Sequence, residues 1–264
     1  MAAHPPVHEP PVPDPAVVEP SAPDPAVPDP AAQRRGYHPG RFDERMLAPT
    51  WLEQFQEWFI DASAPGAGIR EPNAMIFSTA DAAGRPSSRT VLMKGFDARG
   101  FALFTNYTST KAREAAANPY GSLLFPWYPL ERQVIVAGSI ERVSRAESAE
   151  YFRSRPRGSQ LGAWASHQSQ VIDSRAALTE RLAWLGHRWP APQPVPTPPF
   201  WGGLRLVPTS VEFWQGRPDR LHDRLRYRLT TPRRDSGSTP DAGPADAPSR
   251  PADAAGWIVE RLAP

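Results

Sequence analysis

Short β-rich segments separated by glycine turns recur along this chain, and only a few helical stretches interrupt them. Strand and helix do not alternate regularly, so a parallel sheet built from β-α-β units is not indicated. The pattern predicts an α+β protein, mainly β, built on an antiparallel barrel with peripheral helices. The predicted strands are Ala74–Ala80, Arg89–Met93, Phe101–Thr105, Ser122–Trp127, Gln133–Val143, Leu204–Trp214, Leu221–Leu229 and Trp257–Leu262.

Helix-start signals place four helices between these strands. Thr50 and Glu53 have the spacing of a capping box, in which a hydroxyl and a carboxylate cap each other's backbone amides. Ser144 and Glu147 repeat that spacing. The predicted helices are Thr50–Ala62, Ser109–Asn118, one that opens at Ser144 and ends before Pro156, and Ser174–Trp189.

Proline is distributed unevenly along the 264 residues, and this divides the chain. Residues 1–32 hold eleven of the 34 prolines, in a degenerate Pro-Asp-Pro-Ala repeat without aromatic residues. Such a segment buries too little apolar surface to offset its ordering entropy, so we expect a disordered, partly polyproline-II tail. A proline-rich ligand for a partner is the alternative. Residues 33–264 form the predicted folded domain, and residues 230–255 form a second disordered insert that loops out of it.

Charge and cysteine content exclude several kinds of function. The formal net charge is only +2, which argues against nucleic-acid binding through bulk electrostatics. The absence of cysteine excludes disulfides, thiol nucleophiles and cysteine-ligated metals, and no metal site is expected. No membrane-spanning apolar run and no secretory signal pattern are present, so we expect a cytoplasmic protein.

Three clusters combine a basic residue with hydroxyl groups or free backbone amides. Arg89 and Lys94 bracket an apolar strand; residues an odd number apart face opposite sides, so a bend is needed for both to reach one ligand. Thr108–Lys111 opens a helix, where amides and a lysine suit a phosphate. Arg155–Ser159 offers a guanidinium and a hydroxyl. Singly, each is more often a solvated charge or a cap; together they favour an anionic small molecule.

The segment 220–224 gives the strongest local signal of a site. If it is a strand, Arg220, His222 and Arg224 share one face, while Leu221 and Asp223 point the other way. Three neighbouring basic groups repel one another unless an anion lies among them.

No nucleophile elbow, zinc-binding helix motif, Walker loop or Rossmann fingerprint occurs. Several anion-binding clusters without a nucleophile are typical of an enzyme whose cofactor performs the chemistry. The segments Gly162–Trp164 and Ser166–Ser169 add side chains that can pack on, or hydrogen-bond to, a planar heterocycle.

Taken in order, these motifs resemble the pyridoxamine 5′-phosphate oxidase family, and the resemblance runs from about Arg34 to Pro264. The segments that carry it are Arg89–Lys94, Phe104–Asn106, Arg132-Gln133, Tyr151–Pro156, Ser159–Trp164, Gln168-Ser169, Phe200–Gly203, Glu212–Gly216, Arg220–Arg224 and Arg261–Pro264. The resemblance implies a homodimeric split β-barrel with FMN bound at the subunit interface.

The same resemblance implies roles for individual residues. The implied FMN contacts are Arg89, Thr90, Val91, Leu92, Met93, Lys94, Phe104, Thr105, Thr110, Lys111, Gln133, Gln168, Ser169, Trp214 and Arg224. The implied substrate contacts are Arg34, Arg35, Tyr37, Lys94, Tyr151, Arg155, Ser159, Arg220, Leu221 and His222. Thr110 stands where members of the family often carry a basic residue, which predicts the loss of one phosphate contact.

The reaction implied is hydride transfer from C4′ of pyridoxamine or pyridoxine 5′-phosphate to N5 of FMN, followed by reoxidation with dioxygen. The products are pyridoxal 5′-phosphate and hydrogen peroxide. Arg220, supported by His222, is the predicted catalytic residue that orients the substituent on the reacting carbon. Two alternatives are a split-barrel flavin oxidoreductase with a different substrate and a non-catalytic carrier of flavin or pyridoxal phosphate.

Overall fold

The computed structural model describes residues 37, 41–230, 250–251 and 256–264. The predicted tail 1–32, the substrate contacts predicted for Arg34 and Arg35, and most of the predicted insert 230–255 lie outside these residues. No helix in the described part is long and apolar enough to cross a membrane.

Ten strands and five α-helices make up the described part of the chain. The strands are β1 (Ala74–Ala80), β2 (Pro86–Leu92), β3 (Gly95–Asp97), β4 (Gly100–Asn106), β5 (Tyr120–Trp127), β6 (Arg132–Arg142), β7 (Trp201–Gln215), β8 (Asp223–Leu229), β9 (Arg250–Pro251) and β10 (Trp257–Arg261). The helices are α1 (Trp51–Ser63), α2 (Thr110–Ala117), α3 (Arg145–Ser154), α4 (Arg157–Ala165) and α5 (Arg175–Arg188).

The mainly β fold, its antiparallel pairing and the four predicted helices are confirmed. The capping box at the start of α1 is complete: Thr50 accepts from the Glu53 amide, and the Glu53 carboxylate accepts from the Thr50 amide. The second predicted box is only half formed. Ser144 accepts from the amide of Glu147, but the Glu147 carboxylate binds Arg205 instead, at 2.8 Å.

Strand β7 organises the sheet, whose main path runs β2-β1-β5-β6-β7-β8-β10-β9. One edge of β7 pairs with β6 along almost its whole length. Its other edge is shared: residues 201–206 pair with β4, and residues 210–215 pair with β8. Because β4 and β8 pair with different stretches of the same edge of β7, the sheet splits into two halves at this strand.

A bulge lies between the two halves of β7. Ala137 pairs with Ser210 but Gly138 pairs with Pro208, so Thr209 is the extra residue. Proline has no amide hydrogen to donate to the ladder, which suits it to such an irregularity. A side chain at Gly138 would overlap the carbonyl oxygen of Val207, so only glycine allows the backbones to approach this closely.

The apolar face of α1 packs on the inside of the sheet. Trp51, Phe55 and Trp58 are buried there against aromatic residues of the strands, with Phe55 4.8 Å from Phe101 and 5.0 Å from Phe125 between ring centroids. Edge-on and tilted aromatic contacts of this kind add to the free energy gained from burial. This core fixes the inner face of the sheet.

The bulge generates a stability prediction. Gly138→Ala should lower the free energy of unfolding by about 2 kcal/mol, because the new methyl group meets backbone rather than a movable side chain. Gly186→Ala, in the last turn of α5 with open space around it, is the matched control and should raise stability by about 0.5 kcal/mol. Urea denaturation of both variants measures the difference; equal stability of the two would contradict the role of the close approach.

Candidate active site

A cleft opens beside the first half of β7, between β4 and the helices α3 and α4. One part of it is a cavity of about 380 Å³, and a second cavity of about 290 Å³ continues it towards Thr105 and Gln168. The two cavities share Phe104, Arg155, Ser159 and Trp201. We call this continuous space the cleft; its volume is in the range of small-molecule sites.

Aromatic rings form the apolar wall of the cleft. Phe104 stacks on Tyr151 with 4.1 Å between centroids and on Trp201 with 5.5 Å. All three rings are within about 20° of parallel, with measured interplanar angles of 21°, 14° and 7°. Sequence reasoning missed Trp201, although it belongs to the quoted Phe200–Gly203 segment.

Arg155 supplies the charge of the cleft. Its guanidinium lies 4.9 Å from the centre of the Trp201 ring, and its buried Nη1 atom has no hydrogen-bond partner among the described residues. Burial lowers the pKa of Arg155, and the nearby Tyr151 hydroxyl opposes this only in part. A buried donor without a partner is costly. An anion in the cleft would satisfy it.

The junction of α3 and α4 holds Arg155 and Ser159 in place. The predicted end of the helix before Pro156 is confirmed, but sequence reasoning missed that a new helix, α4, starts directly at Arg157. Gln160 donates from Nε2 to the carbonyls of Phe152, Arg153 and Arg155, at 3.1, 3.2 and 3.0 Å. The side-chain amide of Gln160 thus satisfies carbonyl groups at the end of α3. Sequence reasoning did not predict this contact.

The bend expected between Arg89 and Lys94 is present. The amide of Met93 donates to Asn73 beside β1, whereas the amide of Lys94 donates to Ala102 of β4. Lys94 therefore lines the cleft. Arg89 instead lies on the β1 side, where it donates to the carbonyl of Phe77 at 3.0 Å.

Arg89 is held in a polar network with Glu114. Its guanidinium pairs with the Glu114 carboxylate at 3.2 Å and donates to Thr79 at 2.6 Å and to Ser87. Burial alone would raise the pKa of Glu114, but hydrogen bonds from Ser87, Thr79 and Arg89 lower it overall. The charge of Arg89 is therefore largely balanced within the protein.

Lys111 lies at the start of α2 and is almost fully buried, with 8% of its surface exposed. It donates from Nζ to Oε1 of Gln168 at 3.3 Å, and Thr105 donates to the same oxygen at 2.8 Å. Burial first, and then the charge of Arg89, lower the pKa of Lys111, while Glu114 opposes them. Ser109 caps α2 without a side-chain hydrogen bond. A buried ammonium beside this helix start fits a phosphate group.

Arg113 changes the expectation about Thr110. Its guanidinium folds back over the start of α2, donating to the carbonyl of Thr108 at 2.8 Å and to Oγ1 of Thr110 at 3.5 Å. A basic side chain therefore lies beside position 110 after all. It belongs to Arg113, about one helical turn further along α2. The i, i+3 spacing on a helix face could have revealed this.

The prediction that Arg220, His222 and Arg224 share one strand face is wrong. Strand β8 begins only at Asp223, and Pro218–Arg220 forms a 3₁₀ turn in which Asp219 and Arg220 have φ of 56° and 63°. Arg224 does not add to a cluster of unbalanced charge either. It binds the Glu212 carboxylate at 2.7 and 3.2 Å. The two-residue period of a strand does not apply before Asp223. The left-handed turn was not predicted because neither position 219 nor position 220 is a glycine.

His222 lies in an aromatic cage next to this turn. Its ring centroid is 4.6 Å from Trp214 and 5.3 Å from Tyr37. Nδ1 accepts a hydrogen bond from the backbone amide of Arg217 at 3.1 Å. Burial, and then the charge of Arg220, lower the pKa of His222. The neutral imidazole therefore carries its proton on Nε2. We call Tyr37, Trp214, Arg220 and His222 the turn cluster.

The cleft and the turn cluster lie at opposite ends of β7. Phe104 pairs with Gly203 at one end, and Gln133 pairs with Trp214 at the other. Gly203 and Trp214 are eleven residues apart, which at about 3.3 Å per residue is roughly 35 Å along the strand. The cleft and the turn cluster are therefore two separate regions of one chain.

Of the remaining predicted contacts, only Leu92 lines the cleft. Thr90, Val91 and Leu92 lie on β2, Met93 is buried directly after it, Ser169 is exposed beside Gln168 with φ of 71°, and Leu221 is exposed in the turn.

Comparisons with known proteins agree with this geometry. A family model described as "Pyridoxamine 5'-phosphate oxidase" matches residues 66–187, and one described as "Pyridoxine 5'-phosphate oxidase C-terminal dimerisation region" matches residues 201–264. A pyridoxine/pyridoxamine 5′-phosphate oxidase of Frankia casuarinae is 60% identical over 88% of this chain and 93% of its own. The Streptomyces avermitilis protein of that name is 58% identical over 88% and 95%.

Solved structures show the same fold. PhzG of Burkholderia lata, solved with tetrahydrophenazine-1-carboxylic acid, aligns with a TM-score of 0.70 at 29% identity, covering 85% of this chain and 98% of its own. An FMN-binding protein of Nostoc punctiforme aligns with a TM-score of 0.58 at 16% identity, over 83% and 100%. The fold is therefore the split β-barrel of pyridoxamine 5′-phosphate oxidase-related proteins.

Within that class, the chain belongs to the pyridoxamine 5′-phosphate oxidase family.

An ion-pair network ties the turn cluster to the end of the chain. Arg261 binds Glu44 at 2.6 and 3.0 Å and Asp223 at 2.9 Å. The hydrogen bond from Arg261 outweighs burial and lowers the pKa of Glu44 from 4.5 to about 2.

The lowered pKa predicts how this pair affects stability. A carboxyl whose pKa falls on folding stabilises the protein above its unfolded pKa, and this is lost as the pH falls through the folded value. Both side chains are more than 40% exposed, so solvent screening reduces the effect to about 1 kcal/mol at pH 7. The wild type should exceed Glu44→Gln by that amount at pH 7, with the gap closing between pH 4.5 and about 2. Denaturation across this pH range measures it; a constant gap would contradict the assignment.

Proposed function

We propose that this protein oxidises pyridoxine 5′-phosphate and pyridoxamine 5′-phosphate to pyridoxal 5′-phosphate, with FMN as its bound cofactor and dioxygen as the final oxidant. The alcohol and dioxygen give the aldehyde and hydrogen peroxide. The amine also takes up water and releases ammonia. The single observation that carries the proposal is the buried, unpartnered Nη1 of Arg155 in an aromatic-walled cleft. The names of relatives at 58–60% identity support it.

The chemistry of the cleft suits the phosphate end of the substrate. Arg155 offers a guanidinium, Lys94 an ammonium, Ser159 and Tyr151 hydroxyl groups. Burial raises the pKa of Tyr151, with Arg155 opposing it, so the hydroxyl keeps its proton and can donate. These donors match the acceptor oxygens of a phosphate.

The residues around the start of α2 suit the phosphate of FMN. Lys111 and Arg113 supply the charge, and α2 supplies backbone amides not capped by the Ser109 side chain. We assign the segment Arg89–Lys94, together with Phe104, Thr105, Gln168 and Ser169, to the flavin on the same chain. Bound FMN supplies the hydride acceptor. The protein's part would be to hold the substrate beside the flavin so that the reacting groups are aligned.

A homodimer completes the site in this proposal. The match of residues 201–264 to a dimerisation region supports it, as does the separation of the two halves along β7. The second copy then brings Gln133, Trp214 and Arg224 to the flavin and the turn cluster to the substrate. A two-fold interface presents each cleft to the partner's turn cluster in the same way.

In the turn cluster we assign Arg220 to orienting the substituent on C4′, with His222 in support. Nδ1 of His222 already accepts from the backbone, and its Nε2–H donates. His222 therefore holds a proton at Nε2 and hydrogen-bonds to an oxygen or a neutral amine on the substrate. It does not remove a proton in this state.

A second candidate function is that of a split-barrel flavin oxidoreductase with a different substrate. The similarity to PhzG, whose structure holds tetrahydrophenazine-1-carboxylic acid, is the observation that favours it. Arg155 and Ser159 favour the phosphorylated substrate, because the phenazine compound named there carries a carboxylate rather than a phosphate.

Arg155→Gln tests the proposed function. Purified protein with FMN should form pyridoxal 5′-phosphate and peroxide from either substrate in air. In Arg155→Gln the KM should rise about 30-fold, because about 2 kcal/mol of charged hydrogen bonding is lost. The FMN dissociation constant should stay unchanged.

Arg153→Gln, on the exposed side of α3, is the matched control and should behave like the wild type. A wild type that binds flavin but forms no pyridoxal 5′-phosphate would exclude the oxidase. A normal KM in Arg155→Gln would remove Arg155 from the phosphate site.

A further inference from the structure

Asp223 is the point where three parts of the chain meet next to His222. Its carboxylate accepts from Arg261 of β10 at 2.9 Å and from the backbone amide of Phe42 at 3.3 Å, and lies 3.5 Å from Nε of Arg217. The side chain is only 15% exposed. The proposed function gives Asp223 no role, and in the sequence it was expected to point away from the site.

The turn between Arg217 and Asp223 is unfavourable by itself. Two consecutive non-glycine residues, Asp219 and Arg220, adopt the left-handed conformation. Such conformations persist only where surrounding contacts impose them. Asp223 closes the turn by pairing with Arg217, whose backbone amide in turn donates to Nδ1 of His222.

Asp223 is therefore connected to His222 in two ways. It is the neighbour of His222 in sequence, at the first residue of β8, and it fixes the residue that hydrogen-bonds the imidazole. The contacts to Phe42 and Arg261 anchor that carboxylate to the segment before α1 and to β10.

We propose that Asp223 is a positioning residue for the reaction: its carboxylate holds the Arg217–His222 turn so that Arg220 and His222 face the substrate. The proposal rests on the function proposed above for the turn cluster. The proposal concerns kcat rather than the binding of phosphate groups, because Arg155 and Lys111 lie at the other end of β7.

The matched pair Asp223→Asn and Glu44→Gln separates positioning from stability. Each substitution removes one carboxylate partner of Arg261, but only Asp223→Asn also breaks the pairing with Arg217. Asp223→Asn should lower kcat at least about tenfold, because a small misplacement of a reacting group costs this much or more. KM and the FMN dissociation constant should stay within about twofold. Glu44→Gln should keep kcat within about twofold of the wild type.

A second readout needs no turnover. Long-range ¹H–¹⁵N NMR of histidine-labelled protein, with His222→Gln to assign the signal, should show the Nε2–H tautomer in the wild type and in Glu44→Gln. In Asp223→Asn the ring should show a mixture of tautomers. If Asp223→Asn does not fold, Arg217→Gln breaks the same arm of the network and should lower kcat and mix the tautomers in the same way.

Equal kcat values in Asp223→Asn and Glu44→Gln, or an unchanged His222 tautomer, would overturn the proposal. Absence of oxidase activity in the wild type would overturn the proposed function instead. The tautomer measurement would then still decide whether Asp223 controls His222.

Discussion

The pairing of β7 with three other strands is the constraint on which the rest of the structure depends. Its one edge is committed to β6, while β4 and β8 divide the other edge. The division needs a bulge, and the bulge needs the close contact between Gly138 and the backbone at Val207. The aromatic core under α1 stabilises both halves from the inside. The cleft and the turn cluster then lie at opposite ends of β7.

The basic residues of the described part differ in whether a carboxylate partner balances their charge. Arg89, Arg205 and Arg224 have carboxylate partners that balance their charge within the protein. Arg155 keeps a buried nitrogen without a hydrogen-bond partner in the described part of the chain, and Lys111 is buried against a neutral amide. An unsatisfied buried donor destabilises the protein, so an anion that reaches Arg155 in the cleft would stabilise it.

Local patterns were enough to predict eight strands and four helices, because alternation, caps and turns act over a few residues. Most of the candidate site residues came from the family resemblance instead. Tertiary contacts decided the rest. Helix α4 depends on distant groups: Arg157 donates to the carbonyls of Trp189 and Gln193, and Trp164 donates to that of Pro196. The left-handed turn at Asp219-Arg220 has no glycine to signal it. The partner of Arg224 lies on a neighbouring strand, at Glu212, where a period-two pattern cannot reveal it.

The central claim is that the cleft of one chain and the turn cluster of another form one site. Subunit mixing tests it most directly, with Arg155→Gln and Arg220→Ala as two variants that are each inactive at low substrate concentration. If the site is shared, half of the randomly mixed dimers carry one intact site, and about a quarter of the wild-type activity should return. If each site lies within one chain, every mixed dimer stays inactive at both sites. No recovery on mixing, with exchange of subunits verified by mass spectrometry, would contradict the account.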